Sequence, residues 1–154
     1  MPEVRFTKTI KEVQDMSVDL AVIASPTSTH LGTCLQLINQ LKPSAVLIEK
    51  PVGLTLVECR EIMKCLQETP TVFVNYQRNY NQKIVQQVTD AISFGYSKGV
   101  VYYSNGAINN ASHGLALLIL ILGTPTSVFR SSRGIKESLS DLNFDFVVEF
   151  GETR

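Results

Sequence analysis

The residues of this chain that could do chemistry cluster at a few places. Ser25-Pro26-Thr27-Ser28-Thr29-His30 follows an apolar run from Asp19 to Ala24. Glu49-Lys50-Pro51 ends a second run, Ser44 to Ile48, and Asn75-Tyr76-Gln77-Arg78-Asn79-Tyr80 follows a third, Thr71 to Val74. A charged pair closing a continuous apolar run is unusual. Side chains at the carboxyl ends of parallel strands face the ligand crevice, which gives such a pair a purpose. Further on, Asn109-Asn110-Ala111-Ser112-His113 opens an apolar helix. One polar site is expected, with Lys50, Asn109 and His113 converging on it. His113 titrates near neutrality and suits general base work, although capping its helix is the plainer role. Lys50 would either share in proton transfer or stand solvated beside Glu49.

These residues need strands and helices behind them. Leu20 to Ala24 and Ala45 to Ile48 are unbroken apolar runs, the pattern of strands buried on both faces in a parallel sheet. Between them Leu31, Cys34, Leu35, Ile38 and Leu41 recur at helical spacing, and Pro43 stops the helix. Thr55-x-x-Glu58 is a capping box ahead of Cys59, Ile62, Met63 and Leu66, and Thr9-x-x-Glu12 is another ahead of Val13 and Met16. Ile84, Val85, Val88, Ala91 and Ile92 mark a further helix that closes near Gly95. The alternation predicts right-handed βαβ units. The character then changes. Val100–Tyr103, Thr126–Phe129 and Phe144–Phe150 read as strands, and Leu115–Leu122 is apolar all round. The fold class is therefore α/β: a partial Rossmann-like parallel sheet, then part of an α+β domain with a mainly antiparallel sheet. The transition is expected near residues 79–82, giving domains 1–79 and 80–154.

Composition narrows the function. Apolar residues make up 44% and charged residues 18% of 154, which describes a globular protein with a sizeable core. Lys+Arg and Asp+Glu balance at 14 each, without the basic excess of a nucleic-acid binder. Leu115–Leu122 is too short to span a bilayer, so no membrane partner is expected. The first residues lack a signal-peptide core, and Cys34, Cys59 and Cys65 fall in helical patterns. Reduced thiols in a cytoplasmic protein follow, and no metal site. Nothing resembles a hydrolase nucleophile elbow. The nine glycines are scattered, and no G-x-G-x-x-G turn occurs to hold a pyrophosphate on backbone amides. The chain also stops just after a strand, and a piece of a longer protein is expected.

Four segments, in order, resemble one family. Asp19 to His30, DLAVIASPTSTH, is similar to the D-x-V-x-I-A-T-P-x-x-x-H segment of the glucose-fructose oxidoreductase, inositol dehydrogenase and rhizopine-catabolism family. Glu49-Lys50-Pro51 resembles its hallmark E-K-P, and Asn75-Tyr76-Gln77-Arg78 its next strand end. Asn109 to His113 resembles its D-x-x-x-H signature. The resemblance spans roughly residues 9 to 150. It implies an NAD- or NADP-dependent oxidoreductase acting on a hydroxyl of a sugar, cyclitol or sugar nucleotide. Lys50 and His113 would be its catalytic groups, with Ser25, Pro26, Thr27, His30, Glu49, Lys50, Pro51 and Arg78 at the cofactor. For His30 a structural hydrogen bond is as consistent as ligand contact, and Arg78 could meet a phosphate or stand on the surface. The family's aspartate falls on Asn109, which can hold a sugar hydroxyl but not take its proton. The aspartate of its H-x-x-D falls on Ala116. The family usually assembles through its C-terminal sheet, so a homo-oligomer is expected. The alternative is a non-catalytic interaction protein that keeps the fold and self-associates, a reading that the missing glycine-rich turn favours.

Overall fold

A computed structural model of the chain describes residues 4–95, 98–104, 106–130, 135–136, 142–143 and 145–151. It comprises two compact units, Met1–Asn75 and Tyr76–Arg154.

The first unit is a parallel sheet covered on one face. Strands β1 (Leu20–Ile23), β2 (Ala45–Ile48) and β3 (Thr71–Val74) lie in the order β1-β2-β3. Their registers pair Leu20 with Ala45, and Ala45 with Thr71. The crossovers are helices α1 (His30–Gln40) and α2 (Leu56–Cys65). Side chains alternate across a strand, so one set of residues meets both helices. Ala21, Ile23, Val46 and Ile48 form the core with Cys34 and Leu37 of α1, Ile62 of α2 and Leu66 just beyond it. Helix α2 starts at a cap foreseen in the sequence: Thr55 Oγ1 accepts from the Glu58 amide at 3.1 Å.

Two expectations are corrected in this unit. The strands are not buried on both faces, since Leu20 is 55%, Val22 57% and Phe73 47% exposed. Their continuous apolar runs supply two apolar faces, but the crossover helices α1 and α2 cover only one. Near the N-terminus the capping box at Thr9 and Glu12 does form, yet it opens only a 3-10 turn, Ile10–Val13, and Met16 is exposed. Within this short turn Ile10 packs against the core and Val13 is half-buried.

The second unit begins with a 3-10 turn, Gln77–Tyr80, and helix α3 (Gln82–Ser93), capped by Asn81 and closed at Gly95 with φ 86°. A π-helical turn, Ala107–Ala111, leads into α4 (Ser112–Leu122). Strand β4 (Pro125–Arg130) runs antiparallel to a later strand, Phe146–Phe150. Between them the short strands β5 (Ile135–Lys136) and β6 (Leu142–Asn143) pair with each other, which makes the late partner of β4 strand β7. The expected strand Val100–Tyr103 is not one: residues 98–104 have no regular structure, and Val100 and Tyr102 are exposed. β-branched and aromatic residues favour a strand only where a neighbouring strand meets their backbone. Within unit two, β4 and β7 pair with each other rather than with this segment.

Candidate functional site

The sheet of the first unit delivers its polar residues to one edge, the carboxyl ends of the strands. The backbone ladder runs past the strands themselves. The Glu49 amide donates to Ile23 O at 2.9 Å, and the Asn75 amide donates to Ile48 O at 2.8 Å. Glu49 and Asn75 therefore project from neighbouring strand ends, and the Asn75 side-chain amide donates to Glu49 Oε1. Lys50 and Pro51 follow, joined by a cis peptide bond, and both are half-buried.

After β1 the chain turns at Ser25 and Pro26 into a 3-10 turn, Thr27–Thr29, that runs directly into α1. The Thr29 hydroxyl lies 2.8 Å from Ser25 Oγ and 2.7 Å from Pro26 O. His30, the first residue of α1, is 1% exposed. Its Nδ1 lies 3.0 Å from Val52 O and its Nε2 2.9 Å from Ser25 O. A neutral imidazole has one N–H and donates to one carbonyl at a time. The ring spans the loop after β1 and the loop after β2.

The loop after Pro51 is held as well. A methyl group at Gly53 would stand 3.0 Å from Glu58 Cβ and 3.1 Å from the Cys59 amide nitrogen, so any larger residue would press on the first turn of α2. The Leu54 amide then donates to Glu58 Oε2 at 2.7 Å.

The remaining candidates lie in the second unit. Arg78 is exposed on the 3-10 turn after Tyr76. Asn109 is exposed on the π-helical turn, a rare form that is frequent at functional sites. His113 is the second residue of α4, and its ring meets that of Tyr76 edge-on, with centroids 5.8 Å apart at 89°. Asn75 and Tyr76 belong to the third polar cluster of the sequence, which gives neither of them a role of its own. Their signal was position: they stand where β3 ends, beside the end of β2.

Residues 2–76 match the family described as an oxidoreductase family with an NAD-binding Rossmann fold. The first unit belongs to this oxidoreductase family. No curated protein matches the chain. Solved structures share the fold at low identity. An oxidoreductase from Bacillus cereus is 18% identical with a TM-score of 0.66, over 96% of this chain and 48% of its own. The WlbA dehydrogenase from Bordetella pertussis, solved with NADH and UDP-GlcNAcA, is 17% identical with a TM-score of 0.65, over 97% of this chain and 54% of its own. The myo-inositol 2-dehydrogenase from Lactobacillus plantarum is 18% identical with a TM-score of 0.59, over 82% of this chain and 44% of its own. The chain thus spans about half the length of these structures.

Hydroxyls at Ser25 and Thr27 and the amine at Lys50 stand at the carboxyl ends of the strands, where ligands bind in open α/β sheets. The pyrophosphate of a dinucleotide has no match, because the sequence contains no glycine-rich turn to present backbone amides.

Proposed function

We propose that the chain carries the nicotinamide side of a dehydrogenase site acting on a hydroxyl of a sugar, cyclitol or sugar nucleotide. In this reading residues 1–79 are the second half of a dinucleotide-binding domain. Residues 80–154 are part of a substrate and assembly domain. The observation that carries it is a covalent one. Asn75 ends the ladder beside Glu49 and Lys50, and the next residue, Tyr76, is the ring against which His113 packs.

Bound NAD or NADP would supply the hydride acceptor. The chain's own residues then have distinct tasks. A ring nitrogen of His113 takes the carbinol proton as the hydride departs, the work of a general base. Lys50 holds the same hydroxyl and shares its proton. Asn109 holds a neighbouring hydroxyl and takes no proton. Ser25, Pro26, Thr27, His30, Glu49, Pro51 and Arg78 shape the cofactor side, Arg78 by meeting a phosphate. The UDP-sugar and inositol named for two of the structural neighbours support this substrate class. The balance of charge and the absence, among the described residues, of a helix able to cross a membrane are in keeping with a small-molecule ligand.

An experimental structure of the chain tests the shared site. The reading requires the Lys50 amine and the His113 ring within hydrogen-bond reach of one substrate hydroxyl. A separation beyond about 10 Å would exclude direct or one-water proton transfer and end it.

A second reading has one observation of its own, the open apolar face of the first sheet. There the chain binds partners through its exposed surfaces and catalyses nothing. The two separate on titration with NADH, which shifts the amide signals of Ser25, Thr27, Glu49 and Lys50 only under the first.

A further inference from the structure

We propose that Asn75 and His30 are positioning residues that pin the Glu49–Val52 loop on both sides of Lys50. Asn75 acts before Lys50: its side-chain amide holds the Glu49 carboxylate. His30 acts after it: its Nδ1 lies 3.0 Å from Val52 O while its other nitrogen reaches Ser25 O at 2.9 Å. The ring is 1% exposed and Val52 packs on the core, so this pin is anchored in the interior of the unit. Beyond Val52, Gly53 lies tight against the first turn of α2 and the Leu54 amide is tied to Glu58. Lys50 therefore leaves a loop whose two flanks are held by residues distant in sequence. A side chain that must meet a reacting hydroxyl gains from such support, because small misplacements of the backbone are large ones at a lysine amine. The catalytic meaning of the clamp rests on the role proposed for Lys50. The clamp itself does not.

Lysine footprinting of the full chain separates these. Amines are acetylated with an N-hydroxysuccinimide ester, and each rate is read by mass spectrometry, with exposed Lys64 and Lys83 as internal references. Asn75→Ala, Glu49→Ala and the double variant should each raise the Lys50 rate about tenfold, the factor that a hydrogen bond to a charged group supplies at its weak end. The double variant should match the singles, since both break one contact. Glu49→Gln keeps an acceptor oxygen and should restore the native rate. His30→Gln should raise the Lys50 rate as well. Should that buried variant unfold, the Asn75 and Glu49 set still decides the Asn75 arm, and the exchange rate of the His30 ring N–H in the native chain decides the His30 arm: a slow exchange supports it and a rate as fast as that of free imidazole overturns it. An unchanged Lys50 rate, an equal rise at every lysine, or an additive double variant would overturn the clamp. NADH titration of the same variants reads the cofactor role independently. A footprint that moves without NADH binding keeps the clamp and removes the dehydrogenase reading. NADH binding with an unmoved footprint does the reverse.

Discussion

Cys34 shows how placement sets the chemistry of a residue. Its side chain lies in the core between sheet and helices, fully buried. Burial, and secondarily the Cys65 thiol, push its pKa from 9.0 up to about 11. The thiol is therefore neutral at physiological pH and a poor nucleophile. Linkage gives the sign of its effect on stability. Between pH 9.0 and about 11 the unfolded chain has lost this proton while the folded chain keeps it. Stability is thus fully present below pH 9 and is lost as pH rises through the folded value. Urea midpoints measured across this range should fall with pH, and fall less steeply in Cys34→Ala. An identical slope in both proteins would show that another group governs the loss. Gly53 offers a second test at this scale. An alanine there meets Glu58 Cβ at 3.0 Å and backbone nitrogen at 3.1 Å, and backbone yields less than a side chain. Gly53→Ala should destabilise by about 1–3 kcal/mol in urea titration.

Elements were legible where local pattern and tertiary demand agree. Leu20–Ile23, Ala45–Ile48 and Thr71–Val74 announce themselves by apolar continuity, and the helices between them by spacing and by the Thr55 cap. Thr55→Ala removes that cap and should destabilise by about 1 kcal/mol. Val100–Tyr103 shows the limit: its composition suits a strand, but a strand exists only with a neighbour. The same holds for the site. Lys50 and His113 stand out by type and position, whereas the Asn75–Glu49 bond joins residues 26 apart and the two carbonyls at His30 lie 5 and 22 residues away. Such contacts follow from strand order and loop path, which no local window holds. Surfaces left open at this scale imply association. Leu20, Val22 and Phe73 stand on an uncovered sheet face, and Ile119 and Leu120 of α4, with Val128 and Phe129 of β4, are exposed. Apolar faces of this kind seek partners. Light scattering at high concentration should give a mass above the 17.1 kDa of one chain. A monomeric mass with no binding of a hydrophobic dye would contradict this.

At the scale of the whole molecule, the first unit belongs to an NAD-binding oxidoreductase family, and its strand ends carry Ser25, Thr27, Glu49 and Lys50, the groups proposed for the nicotinamide side. The sequence holds no glycine-rich turn, so the amides that grip a pyrophosphate are missing from it. Both statements meet in one measurement: titration of the full chain with NAD and NADP, followed by amide NMR signals and calorimetry. Weak binding is expected, in the millimolar range, with shifts at Ser25, Thr27, Glu49, Lys50 and Tyr76. Micromolar affinity for either dinucleotide, or shifts that leave the strand ends untouched, would contradict it.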